Sequence, residues 1–234
     1  YIAWATILAG VIFVWRSQVT LAVTALLASL TLTVAHMSWM DPEITTLVPV
    51  LKSYWLIIHV AIITSSYGFL ALGALMGFIN LILMIMKTKK NLQRLNLAIT
   101  EFSYVIEMTL IIGLFLLTIG TFLGGVWANE SWGRYWGWDP KETWALVTIL
   151  VYSFIVHMRF IPGFRGNFPL SFTSLIGYSS VLMTYFGVNY YLSGLHSYAA
   201  GDPVPIPTFV YYSVAIAFIV GILAYIQDRR HTIR

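Results

Sequence analysis

Residues 127–144 read WANESWGRYWGWDPKETW, a stretch between two long apolar runs that holds five tryptophans: Trp127, Trp132, Trp136, Trp138 and Trp144. Tryptophan offers a flat apolar face and one N–H donor, so it collects at membrane–water boundaries and against flat aromatic ligands. Gly133 and Gly137 remove side chains beside the rings, which leaves room for something planar to approach the backbone. Asp139-Pro140-Lys141-Glu142 then predicts a helix start, with Asp139 as N-cap, Pro140 at the first helical position and Glu142 three residues after the cap. The stretch is expected to be a loop that ends by launching a helix. An interfacial aromatic belt would explain scattered tryptophans, but a belt requires neither this fixed order nor their concentration in one short segment.

Working outward, the surrounding chain is too apolar for an ordinary soluble domain: 59% of its 234 residues are hydrophobic and 9% charged, with a mean hydropathy of +0.82. It reads as an all-α, polytopic membrane helix bundle. With no cysteine there is neither a disulfide nor a thiolate ligand, which leaves histidine and methionine as candidate soft-metal ligands. The chain opens YIAWATILAG, without an initiator Met and inside an apolar run, as expected of a fragment.

Apolar segments of spanning length fall at roughly 1–15, 19–40, 54–86, 104–126, 144–161, 169–192 and 208–226, giving about seven transmembrane helices. Ten of the 13 Lys and Arg residues lie in one set of alternate loops, and only Lys52, Arg134 and Lys141 lie on the other side. The positive-inside rule makes the first set cytoplasmic, so the Trp-rich loop and the 41–53 and 193–207 loops are expected outside. The net charge of +4 is thus a matter of topology and no sign of nucleic acid. At 33 residues, the run 54–86 would extend about 50 Å as a helix, against a hydrocarbon core of about 30 Å. Its Tyr54–Ser66 part, which carries His59, is expected to project outward. Apolar residues at helical spacing among polar ones from Asn91 to Phe102 predict a separate short helix on the inner surface.

The order W-G-x-Y-W-x-W-D-P-K-E-x-W over residues 132–144 resembles the WWD signature of haem-handling proteins of cytochrome c assembly. It is especially similar to the CcsA-type half of the CcsBA (System II) cytochrome c synthase, and the resemblance covers the chain from about Tyr54 to its end. It implies an N-terminal membrane hairpin with its outer loop over 1–53 and a haem-handling membrane core over 54–234, the WWD loop occupying 127–144. It further implies transport of haem b to the outer face of a bacterial inner or thylakoid-type membrane. There haem would be attached covalently to the Cys-x-x-Cys-His segment of an apocytochrome c, together with a CcsB-like partner half. In this family an external pair of histidines, one before and one after the WWD segment, ligates the haem; by order and side these are His59 and His196. Trp127, Trp132, Trp136, Trp138 and Asp139 would line the haem site. The family's histidine within the helix after the loop, taken to meet haem arriving from the inner side, corresponds to His157.

Other residues leave two readings each. An imidazole within the membrane, such as His157, is by default functional, yet a histidine bonded to a neighbouring helix is the plainer alternative. His36 is either an interfacial residue or a second intramembrane ligand, and His231 in the tail RRHTIR reads as a solvated or lipid-headgroup residue. Arg134 could hold a haem propionate bidentately; Lys141 could do likewise or pair with Glu142 or lipid phosphate. No conventional nucleophile or general base stands out, so catalysis would rest on positioning. Two neighbouring readings are a CcmC-like haem-delivery protein and a haem-b respiratory subunit. The first is disfavoured by D-P-K-E-x-W and His157. The second would place histidine pairs within facing spans. A secondary transporter would show inverted repeats, which the sequence lacks.

Overall fold

The computed structural model describes residues 1–13, 18–37, 51–196 and 205–232, with the side chains of residues 13, 231 and 232 left out. Much of the 41–53 loop and of the 193–207 loop lies outside the described residues. The helices are α1 (Ile2–Phe13), α2 (Gln18–Ala35), α3 (Tyr54–Ile85), α4 (Leu92–Trp132), α5 (Pro140–His157), α6 (Asn167–Leu182), α7 (Val188–Tyr191) and α8 (Thr208–Thr232). A π-helical turn, Met183–Gly187, joins α6 to α7, so these three pieces run on as one rod. The seven expected membrane segments each hold a helix, and among the described residues five helices are long and apolar enough to cross a membrane: α2, α3, α4, α5 with its 3-10 extension to Phe160, and α8. The protein is a multi-pass helical membrane bundle.

The bundle is built on α3, whose Ser66–Ala74 stretch is buried. Small residues let its neighbours come close. A Cβ on Gly73 would sit 2.8 Å from a Leu110 methyl, and one on Gly113 would sit 2.6 Å from a Leu70 methyl, so α3 and α4 are in close antiparallel contact. Gly77 of α3 likewise meets Ser171 and Ser174 of α6. Asn80, fully buried, has its amide nitrogen within hydrogen-bond distance of the Ile99 carbonyl and of the Ser103 and Ser171 hydroxyls, so its two protons are shared among three acceptors that tie α3, α4 and α6 together. At the α3 C-terminus Lys87 Nζ meets Asp228 Oδ1 of α8 at 2.6 Å. The α1 helix packs on α3 through Gly68, where a Cβ would lie 2.9 Å from the Ile2 carbonyl oxygen.

Two expectations are corrected. Asn91–Phe102 is not a separate surface helix, because α4 runs unbroken for 41 residues from Leu92. Its apolar face, with Ile99 and Leu95, packs on Leu81 and Met84 of α3 and so has no need of a lipid surface. Nor is 127–144 all loop. The last turns of α4 carry Trp127 and Trp132, the helix stops at Gly133 in the left-handed conformation (φ 71°), and α5 begins at Pro140. The connecting segment is 133–139. The expected cap at its far end is present in full: the Asp139 side chain accepts from the Lys141 N–H, and Glu142 reaches back to the Asp139 N–H.

Candidate functional site

A cavity of about 290 Å³ opens between the start of α3, the end of α4, the start of α5 and the segment after α7. His59, Trp127, Trp136, Lys141, Tyr185 and His196 are among its walls. Each histidine is held by its Nδ1. That of His59 lies 2.7 Å from the carbonyl oxygen of Gly120 on α4, and since a carbonyl only accepts, Nδ1 carries the proton. That of His196 lies 2.8 Å from Asp139 Oδ2. In both rings Nε2 is therefore the unprotonated nitrogen, the arrangement in which a neighbouring acceptor orients a metal-binding imidazole.

Trp127, fully buried, links the two rings. Its plane is within 8° of that of His59, with centroids 6.4 Å apart, and it meets His196 edge to face at 5.5 Å. Trp132 packs behind, 4.8 Å from Trp127 and 5.0 Å from His196. Gly124 explains how His59 fits against α4, since a Cβ there would lie 2.7 Å from the imidazole Cε1.

Asp139 does more than cap α5. Its Oδ1 accepts from the Leu195 N–H at 2.6 Å while Oδ2 takes His196 and the Lys141 N–H. Burial works to raise the Asp139 pKa, but the bonds from His196, Leu195 and Lys141 outweigh it and hold the carboxyl below its ordinary value. For His196 burial dominates and lowers the pKa in spite of the Asp139 carboxylate. Both shifts run toward a neutral imidazole donating to a carboxylate across the 2.8 Å contact.

The sequence-based candidates divide accordingly. His59, His196, Trp127 and Trp136 wall the cavity; Trp132 and Asp139 stand behind them. Trp138 does not face the cavity: it is 69% exposed, sits edge to face with Trp136 at 5.8 Å and is the one non-glycine residue with positive φ (57°) among the described residues. Arg134 is likewise not among the walls. Its guanidinium lies over Trp132, faces Glu142 Oε1 at 3.8 Å and fills the space at Gly137 that a planar ligand was expected to use. Glu142 Oε2 takes the Gly137 and Asp139 N–H groups, and Lys141 turns to Asn189 instead of Glu142.

His157 lies at the opposite end of the bundle, as the last residue of α5, exposed and bonded through Nδ1 to the Ser153 carbonyl of its own helix. It lies about 26 Å along α5 from Pro140, a turn further than a start at Trp144 implied. His36 makes the same kind of bond to Leu32. Residues the sequence did not single out are Gly120, Gly124, Tyr185 and Asn189. For the first two, the glycines at helical spacing just before Trp127 are the readable signal.

Fold and cavity together define a class: a multi-pass helical membrane protein with a tryptophan-walled cavity at one end, into which two oriented imidazoles face. The family model described as Cytochrome C assembly protein matches residues 1–196, and the chain belongs to that family. It is 52% identical over 205 residues to Protein NrfI of Wolinella succinogenes, covering 88% of this chain and 23% of that one. It is 40% identical over 170 residues to Cytochrome c biogenesis protein CcsA of Guillardia theta, covering 65% of this chain and 56% of that one. The protein of the same name from Prochlorococcus marinus (strain AS9601) is 37% identical over 195 residues, 71% of this chain and 62% of that one. The chain thus spans less than two thirds of the length of these relatives.

Proposed function

We propose that the chain binds haem b in the tryptophan-walled cavity, with His59 and His196 as the two axial ligands, and presents it for covalent attachment to an apocytochrome c. The observation that carries this reading is the pair of imidazoles on one cavity, each with Nδ1 tied to an acceptor and Nε2 left to bind iron. Trp127 and Trp136 supply apolar walls suited to a porphyrin face. Relatives named for cytochrome c biogenesis support the same reading.

In the proposed reaction haem is the substrate, and each thioether forms by net addition of a cysteine S–H across a vinyl double bond. The protein's part is to hold iron and ring in place and to keep water from the macrocycle. Asp139 fixes the His196 ring, and the Gly120 carbonyl fixes that of His59. A CcsB-like partner half, separate or fused, completes the synthase, a haem lyase; Cys-x-x-Cys-His in the apocytochrome is the acceptor. Residues 54–234 form the haem-handling core and 1–53 the preceding hairpin.

The tryptophan end faces the periplasm or lumen of a bacterial inner or thylakoid-type membrane. Lys87, Lys89, Lys90, Arg94, Arg159, Arg165, Arg229 and Arg230 gather at the opposite helix ends, as the positive-inside rule requires of the cytoplasmic side. Haem arrives from that side near His157. The test is the absorption spectrum of the complete synthase. Iron bound by two imidazoles is low-spin, and His59→Ala or His196→Ala should remove that signature along with maturation of a coexpressed cytochrome c. Retention of the wild-type spectrum in both variants would sink the reading.

A further inference from the structure

Lys141 is placed against the rules that govern helix ends. It is the second residue of α5, where the N-terminal end of the helix dipole disfavours a cation, and it lines a mostly apolar cavity. A charge withdrawn from water in this way calls for a counter-charge, yet among the described residues no carboxylate makes an ion pair with it. Its ammonium donates to Oδ1 of Asn189, a neutral amide, at 2.8 Å. The two carboxylates next to it in sequence are already engaged. Glu142 Oε2 accepts from the Gly137 and Asp139 N–H groups, and Oε1 faces Arg134. Asp139 Oδ1 accepts from the Leu195 N–H and Oδ2 from His196 and the Lys141 backbone. The cavity therefore presents a cation whose local partners are spoken for, beside the two imidazoles.

We propose that Lys141 binds a carboxylate of the ligand in this cavity, namely one haem propionate, and thereby sets which edge of the macrocycle lies toward α5. This rests on the haem reading above and assigns the role to Lys141 alone, where the sequence had offered Arg134 and Lys141 alike. With the propionate held at α5, the ring is turned in its own plane to one orientation, and the vinyl edge points away from Lys141.

The test titrates the complete synthase, stripped of haem in detergent, with haem and with haem dimethyl ester, which keeps the macrocycle and vinyl groups and neutralises both carboxylates. The low-spin absorption band reports binding. Wild-type protein should bind the ester roughly ten- to hundred-fold more weakly, the range of a charge-assisted hydrogen bond. Lys141→Met should bind haem as weakly as the ester and no longer discriminate, whereas Lys141→Arg and Arg134→Met should keep the preference. Because the readout is a ratio within each protein, partial loss of folded material does not imitate the result. Equal binding of both compounds by wild type, or undiminished discrimination by Lys141→Met, overturns the assignment while leaving the two-histidine site standing. Failure of wild type to give a low-spin spectrum with either compound overturns both.

Discussion

His196 Nδ1 and Asp139 Oδ2 lie 2.8 Å apart, so the residue that starts α5 also sets the orientation of an imidazole 57 positions further along the chain. One carboxylate both caps a helix and orients an imidazole. Its two oxygens serve three N–H groups, those of Leu195, His196 and Lys141.

Asp139→Asn should therefore be costly, although Asn is ordinarily as good an N-cap as Asp. An amide has one acceptor oxygen, so its NH₂ group must face at least one of those donors. The expected loss is about 1–3 kcal/mol in thermal or denaturant unfolding. Loss of the anion behind His196 should also raise the reduction potential of bound haem. An unchanged potential with His196 still on iron would show that the carboxylate serves the helix alone.

His59 and His196 should behave as one unit, since each holds the ring square to the other. The single alanine variants should each lose the low-spin spectrum and cytochrome maturation, with the double variant little worse. Additive losses would indicate two independent roles. His36→Ala, of like chemistry but away from the cavity, serves as the control.

Gly124→Ala tests the seating of His59 without touching a ligand. The added methyl would meet the imidazole at 2.7 Å and force it off the Gly120 carbonyl. Haem bound to this variant should shift toward high-spin with little change in expression. If it stays low-spin with wild-type affinity, the close approach of α4 to His59 is not what seats the ring.

His157→Ala should insert and fold normally, because the exposed imidazole bonds only within its own helix turn. Purified from cells it should carry far less haem, yet take up added haem at the tryptophan end with wild-type affinity. Normal haem content straight from cells would make His157 a lipid-facing residue with no part in delivery.

The absence of cysteine gives topology a clean test. Tyr135→Cys, exposed in the segment between α4 and α5, should react with an impermeant thiol reagent from outside, and Thr88→Cys after α3 should not. The reverse pattern would invert the orientation and move the haem site to the cytoplasmic side.

What the sequence revealed followed the reach of each signal. The cap at Asp139-Pro140-Lys141-Glu142 is local, spans four residues and was legible in full. So were the seven apolar helices, whereas the choice of His59 and His196 came from the family resemblance, and the structure adds that both line one cavity. The continuity of α4 was not legible, because the polar pattern of 91–102 suits a lipid surface and a helical neighbour equally well, and only the packing of Ile99 with Leu81 and Met84 of α3 decides. Gly137 misled for a related reason: an absent side chain marks space, but the guanidinium three residues earlier occupies it. The double duty of Asp139 depends on a contact across 57 positions, which no local pattern encodes.

The unbroken α4 connects the two ends of the bundle without a joint. One rod of 41 residues carries Glu107, which pairs with Arg159 of the segment after α5, and also Gly120, Trp127 and Trp132 beside the cavity. At 1.5 Å per residue the rod is about 62 Å long. The helix that pairs with Arg159 at the basic end of the bundle is thus the same one that forms the wall against which His59 rests.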